Sequence, residues 1–190
     1  MKIYLIKVIS MVFLPFLTGC TVNIDQYVDE KPELDLREFF QGHLEAYGIV
    51  QDYKGKVSRR FRADILGQWE GDKGVIDERF FFADGEETHR CWQLNRAGNR
   101  YVGTAGDVVG EAEGVVAGNA LNWKYALSVP VKDKVWRLKL NDWMYLVDDK
   151  NLINRAKMYK FGVEVGQITL YIRKVSSVPH RPLSTGCAVL

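Results

Sequence analysis

From residue 43 to residue 174, apolar and polar side chains alternate in short runs that end at turn residues. The run 121–129 shows it best: Leu121, Trp123, Tyr125, Leu127 and Val129 take every second position. A period of two puts successive side chains on opposite faces of a β-strand. Similar runs cover 43–51, 56–69, 75–82, 87–96, 100–109, 135–147, 151–161 and 167–174, with a glycine-rich run at 110–118. Asp84-Gly85, Ala97-Gly98-Asn99 and Gly118-Asn119 mark tight turns between them. No helix-length amphipathic run separates the strands, which argues against an α/β fold. The pattern predicts an all-β, antiparallel, up-and-down chain of about ten strands. Closure into a barrel removes the edges that such a meander exposes.

Ahead of the strands, Asp35 followed by Glu38 resembles a helix-start capping arrangement and predicts a short N-terminal helix over 36–40. Residues 20–33, with Asp25, Asp29, Glu30, Pro32 and Glu33, read as a polar tether. Residues 34–175 form the barrel domain. The Pro-, Ser- and Gly-containing segment 176–190 reads as a disordered tail.

The first nineteen residues change the picture of where the protein resides. Lys2 and Lys7 precede a mostly apolar stretch, Val8 to Leu17, too short to span a bilayer as a stable helix. Leu17-Thr18-Gly19-Cys20 then matches a bacterial lipobox, so residues 1–19 are expected to be a lipoprotein signal peptide and Cys20 the lipidated residue. Two or three acyl chains hold a protein at a membrane far better than one. Thr21 in place of Asp favours the outer membrane, periplasmic face. The leader carries two of the 26 basic residues and none of the 24 acidic ones, so the remaining 171 residues are balanced at 24 of each. The basic pI comes from the leader and is no argument for a nucleic-acid partner or for anionic lipid. Cys91 and Cys187 remain, either paired in an oxidising periplasm or as two free thiols.

Alternation also predicts which groups face inward. Asp142 shares a face with Trp136, Leu138, Leu140, Met144 and Leu146; Glu78 with Ile76, Phe80 and Phe82; Arg90 and Arg96 with Trp92 and Leu94. Arg59 lies in register with Phe61, and Lys160 with Met158 and Asn154. A buried charge is costly unless paired. These groups form either a structural ion network or the polar contacts of a ligand cavity. On the second reading Phe80, Trp123, Tyr125, Trp136, Leu138 and Met144 line the cavity, and Arg59, Asp142 and Lys160 are its polar contacts. From Gly106 to Ala120 every second residue is Gly, Ala or Val, so one face of that region is small and admits a bulky neighbour, a Trp or Phe of the chain or a ligand.

Catalytic signatures are missing. His43, His89 and His180 have no metal-ligand spacing, and neither a nucleophile elbow nor a phosphate-binding loop occurs. No cofactor is implied. An enzyme would need Glu78 and Asp142 to converge as acid and base.

The strings Asp107-Val108-Val109-Gly110, Gly118-Asn119-Ala120-Leu121-Asn122-Trp123-Lys124-Tyr125, Asp142-Trp143-Met144-Tyr145, and Asn154-Arg155-Ala156 leading to Lys160-Phe161-Gly162 carry a family resemblance. From about Leu34 to Lys174 the chain resembles an uncharacterised family of bacterial lipoproteins, domain of unknown function 3833. The resemblance implies an envelope location and carries no catalytic residue across. The family's strand pattern is similar to the lipocalin/calycin-like barrels, which hold lipids and other apolar molecules; that step is fold analogy. The expected function is therefore an envelope lipoprotein that binds a lipid or fatty acyl ligand in a barrel. The alternatives are an adaptor acting through outward-facing Trp143 and Tyr145 beside Arg137 and Lys139, and a lipid-modifying enzyme.

Overall fold

The computed structural model describes residues 22–131, 133–176 and 181–188; the leader and Cys20 lie outside the described residues. Ten strands run round a closed antiparallel barrel in chain order: β1 (Gly42–Asp52), β2 (Val57–Glu70), β3 (Lys73–Phe82), β4 (Glu87–Ala97), β5 (Arg100–Thr104), β6 (Ala112–Ala117), β7 (Ala120–Val131), β8 (Lys134–Asp148), β9 (Asn151–Lys160) and β10 (Val163–Lys174). Each strand pairs with its sequence neighbours, and β1 pairs with β10 to close the ring. The predicted count and topology hold. β5 is shorter than the run 100–109 suggested, because Ala105 to Glu111 leave β4 and attach to β7. Val109 N–H donates to the Ala126 carbonyl and Ser128 N–H to that of Asp107, each at 2.8 Å. The first half of β4 therefore has no backbone partner on its β5 side among the described residues.

Up-and-down connectivity gives the barrel two poles. One is sealed. The predicted helix forms as α1 (Leu36–Phe39), capped by the Asp35 carboxylate, which accepts from Arg37 N–H at 2.8 Å. Leu36, Phe39 and Phe40 pack into that pole against Leu44, Ile65, Leu121 and Leu152, all at most 3% exposed. The fit is close: a Cβ on Gly67 would lie 1.6 Å from the Phe40 carbonyl oxygen. At the other pole, the inward-facing Phe61, Phe80, Phe82, Val129, Trp136, Met158 and Ile168 stay only half-buried.

Both ends of the chain depart from the sequence expectations. The tether is docked. Its single turn of 3-10 helix, Ile24–Tyr27, sets the Tyr27 ring 5.8 Å from Trp143 and 5.6 Å from Tyr145. The carbonyl of Tyr27 also sits where a Cβ on Gly118 would be, 1.8 Å away, in a turn where Gly118 adopts a φ of +49°. The tail is docked as well. Cys91 and Cys187 form a disulfide, and Arg181 and Ser184 both bond Asp77, a carboxylate with no exposed surface on the outer face of β3. His89 Nε2 lies 2.7 Å from the same group. Burial alone would raise the Asp77 pKa; the Ser184 N–H, Arg181 and His89 hold it below the ordinary carboxylate range. Composition identified a flexible segment, but one long-range crosslink and one buried counter-charge order residues 181–188.

Candidate functional site

Period-two strands place five polar side chains inside the barrel, about midway between the poles, and a sixth, Asp107, joins them from the β5–β6 connection. Glu78 of β3 stands opposite Arg90 of β4 in the ladder. Asp142 of β8 lies between Trp123 of β7 and Ala156 of β9. Tyr125 hydroxyl donates to Asp142 Oδ2 at 3.1 Å, and the Asn154 amide donates to Oδ1. Arg90 reaches across the unpaired stretch of wall to Asp107, with Nε at 2.9 Å and Nη2 at 2.6 Å from its two oxygens. Such a two-point guanidinium–carboxylate contact is strong and directional. Arg90 thereby holds the β5–β6 connection against β4 where the backbone ladder is missing.

The cluster sets three carboxyl groups, Glu78, Asp107 and Asp142, against one cation, Arg90. Arg90 is firmly cationic: burial opposes its charge, but Asp107 and Glu78 outweigh that. Its Nη1 is 3.7 Å from Glu78 Oε2, an atom with no hydrogen-bond partner among the described residues. Burial pushes the Glu78 carboxyl up to about 7, against the pull of Arg90 and with help from Asp107 and Asp142. Burial likewise lifts Asp142 to about 6, although Asn154, Tyr125 and Arg90 pull it down. The Tyr125 phenol stays protonated, raised by burial and by the neighbouring Asp142. Near neutral pH the interior therefore holds one fixed cation, one fixed donor and two carboxyls close to their titration points.

Above this cluster lies the aromatic mouth. Phe61 packs on Phe80 and Phe82 with ring centres 5.7 and 5.3 Å apart. Across the opening, Lys160 Nζ sits over the Trp136 ring, 3.0 Å from its centre, and has no ion pair among the described residues. Glu78 and Arg90 keep 16% and 20% of their side chains exposed although they face inward. Solvent-sized space therefore reaches the middle of the barrel.

The sequence-predicted residues separate by depth. Tyr125 and Asp142 meet in the middle of the interior, Met144 lies beside Leu121 and Asn154 toward the plugged pole, and Phe80, Trp136 and Lys160 stand at the mouth. Trp123 and Asp142 face the same side of the wall, as a lining requires. Trp123, however, is 4% exposed and serves the wall itself. It meets Trp92 edge-on at 5.8 Å, and a Cβ on Gly114 would fall 2.1 Å from its ring. On the small face of the 106–120 region, Gly114 is thus covered by the chain's own Trp123 and Gly118 by the Tyr27 carbonyl, while Gly106 and Gly110 have nothing within 4 Å. Leu138 is buried in a side cluster with Leu127, Leu140 and Ala156. Arg59 was expected within the cavity. It lies instead at the rim, 3.6 Å from the Phe82 ring centre and neutralised by Asp84 and Glu86. The interior arginine is Arg90. Its alternation with Trp92 and Leu94 was legible, but nothing local in the sequence pointed to Asp107 as its partner.

These features define a lipocalin-like barrel with one plugged pole, one open aromatic mouth and an ionisable cluster between. Residues 14–174 match the model of a family described as a protein of unknown function (DUF3833), and the chain belongs to that family. Among solved structures, a protein of unknown function from the DUF3598 family of Nostoc punctiforme PCC 73102 aligns with a TM-score of 0.56 at 12% identity. The alignment covers 77% of this chain and 51% of that one, so this chain spans about half the length of that protein. At that identity the likeness shows the fold alone. No curated protein matches the chain.

Proposed function

We propose that this protein is an envelope lipoprotein that takes an apolar or amphipathic molecule, such as a fatty acyl chain, into the open half of its barrel. The half-buried, inward-facing ring of Phe61, Phe80, Phe82, Trp136, Met158 and Ile168 carries the reading. Apolar side chains that face inward yet touch solvent gain free energy when an apolar ligand covers them, about 25 cal/mol for each Å² removed from water. Lys160 at the mouth suits an anionic head, since no carboxylate among the described residues neutralises it. The cluster at the base bounds the depth a chain can reach, because an apolar chain end cannot replace the solvation of Glu78, Arg90 and Asp142.

The aromatic surface of the adaptor alternative is already occupied in part. Tyr27 lies on Trp143 and Tyr145, and burial together with Tyr27 raises the Tyr145 pKa to about 12. The test is native mass spectrometry of the mature protein, followed by titration with an environment-sensitive fluorescent fatty acid. The expected results are a co-purified acyl species and binding weakened at least tenfold by Trp136→Ala and by Lys160→Glu. A barrel that retains no lipid and binds none rejects the proposal.

A further inference from the structure

Two diametrically opposite outer walls of the barrel differ sharply. The outer face of β2–β4 is covered by residues 181–188 and their disulfide. The outer face of β7–β9 is bare over much of its area and basic. Lys124, Arg137 and Lys139 point outward there, because their neighbours Trp123, Leu138 and Leu140 are buried inside. Together with Asn141, Tyr159 and one carboxylate, that of Glu111, they line a groove of about 450 Å³. No ion pair neutralises the three cations among the described residues, whereas Lys157 on the same wall is held by Glu164 at 2.9 Å.

The hairpin tips of this wall add apolar surface. Val135 beside Lys134 is 72% exposed, Phe161 beside Lys160 is 96% exposed, and Val163 is 66% exposed. Phe161 adopts a left-handed backbone, φ +52°, which a bulky side chain occupies only at a cost. The tip is strained and its ring stays exposed, with Lys160 Nζ 5.6 Å from its centre. Lower on the wall, Tyr27 rests on Trp143 and Tyr145, so the N-terminal segment crosses this face there.

We propose that the β7–β8–β9 wall is a docking face for an anionic phospholipid surface, with headgroup charges against Lys124, Arg137 and Lys139 and with Phe161 and Val135 entering the interfacial layer. Cations next to an anionic leaflet and apolar tips at the headgroup level are the two attractions such a surface offers. The proposal extends the envelope reading above, but its charges and exposed tips stand without a luminal ligand. It brings the barrel wall, and the mouth at its edge, down onto the layer that would supply an acyl ligand.

Residues 20–190 contain every strand, both docked end segments and the disulfide, so this span with Cys20→Ser folds as described and carries no acyl chain. It is mixed with vesicles of phosphatidylethanolamine and phosphatidylglycerol, or of phosphatidylcholine alone, and sedimented. Binding is expected on the anionic vesicles only and is expected to fade at high salt. Combined Lys124→Glu, Arg137→Glu and Lys139→Glu is expected to weaken it at least tenfold, and Phe161→Ser severalfold, with unchanged circular dichroism. Equal binding to both vesicle types, undiminished binding of the triple variant, or release by millimolar inorganic phosphate overturns the proposal. So does capture of a soluble protein by this face without vesicle binding. Co-purified lipid is scored in the same triple variant. Loss of vesicle binding with the luminal ligand retained supports the docking face and leaves the carrier reading intact, whereas vesicle binding by a barrel that holds no lipid defeats only the carrier reading.

Discussion

The two poles of the barrel are built from the same alternating strands, yet one is a core and the other a mouth. At the sealed pole, inward side chains meet α1 and each other, and Leu121 and Leu152 have no exposed surface. At the open pole the same face of the same strands carries larger residues, Phe61, Phe80, Phe82 and Trp136, that nonetheless remain accessible. Size does not decide which pole is filled. A plug does: four helical residues capped by Asp35, with Phe40 seated on a glycine. Removing apolar surface from water is favourable at either pole, but only one supplies its own cover.

The largest expected difference between the poles is in stability. Leu121→Ala removes packing that cannot reform, and its cost is expected near 3 kcal/mol. Trp136→Ala at the mouth, where the ring is half in water, is expected to cost about 1 kcal/mol. Urea unfolding of both variants measures this, and equal losses would mean that the mouth is packed as tightly as the plug. A second contrast comes from added methyl groups. On Gly67 a Cβ meets backbone, the Phe40 carbonyl at 1.6 Å, and Gly67→Ala is expected to cost about 2–3 kcal/mol. On Gly48 it meets the end of the Phe61 ring at 2.4 Å, which can swing into the mouth, so Gly48→Ala is expected to cost under about 1 kcal/mol.

A third contrast probes the layer between the poles. Glu78 and Asp142 both have folded-state pKa values above their ordinary ones, about 7 against 4.5 and about 6 against 3.8. In the interval between, the folded protein holds protons that the unfolded chain has already lost. Their contribution is therefore fully present below about pH 4 and declines as pH rises through 6 and 7. Stability is expected to be greater at pH 5 than at pH 7.5, with a slope of up to about 1 kcal/mol per pH unit for each carboxyl. Glu78→Gln and Asp142→Asn are each expected to flatten part of that slope. The lowered carboxyls, such as Asp77 and Asp35, titrate below this window and do not mask it. A flat profile from pH 5 to 7.5 in the parent protein would show that the interior cluster is hydrated.

How much of this was legible depends on the range of the interaction. Ten strands, their faces and their turns follow from period two and from turn residues, which are local. The inward placement of Glu78, Arg90 and Asp142 follows from the same rule. Depth along the barrel does not, because it depends on the registers of all ten strands. Arg59 and Arg90 both read as inward, but one reached the rim and the other the centre. The small face of the 106–120 region announced a close neighbour without naming Trp123. The order of the tail was hidden most completely. Segment 181–188 has the composition of a loop, and contacts with Asp64, Asp77, Arg79, Cys91 and Gln93, about a hundred residues earlier, hold it down.

The unpaired stretch of β4 gives the wall an uneven stiffness. Elsewhere, parting two strands breaks a run of backbone hydrogen bonds together. From Glu87 to Trp92 the β5 side lacks that ladder, and the Arg90–Asp107 clasp, with the Trp92 ring against Trp123 and Tyr125, sets the local resistance to prying. Ionic strength weakens a half-exposed clasp of that kind and leaves hydrogen-bonded ladders nearly untouched. The give of the cylinder is thus concentrated along one slit in its flank, beside the charged centre.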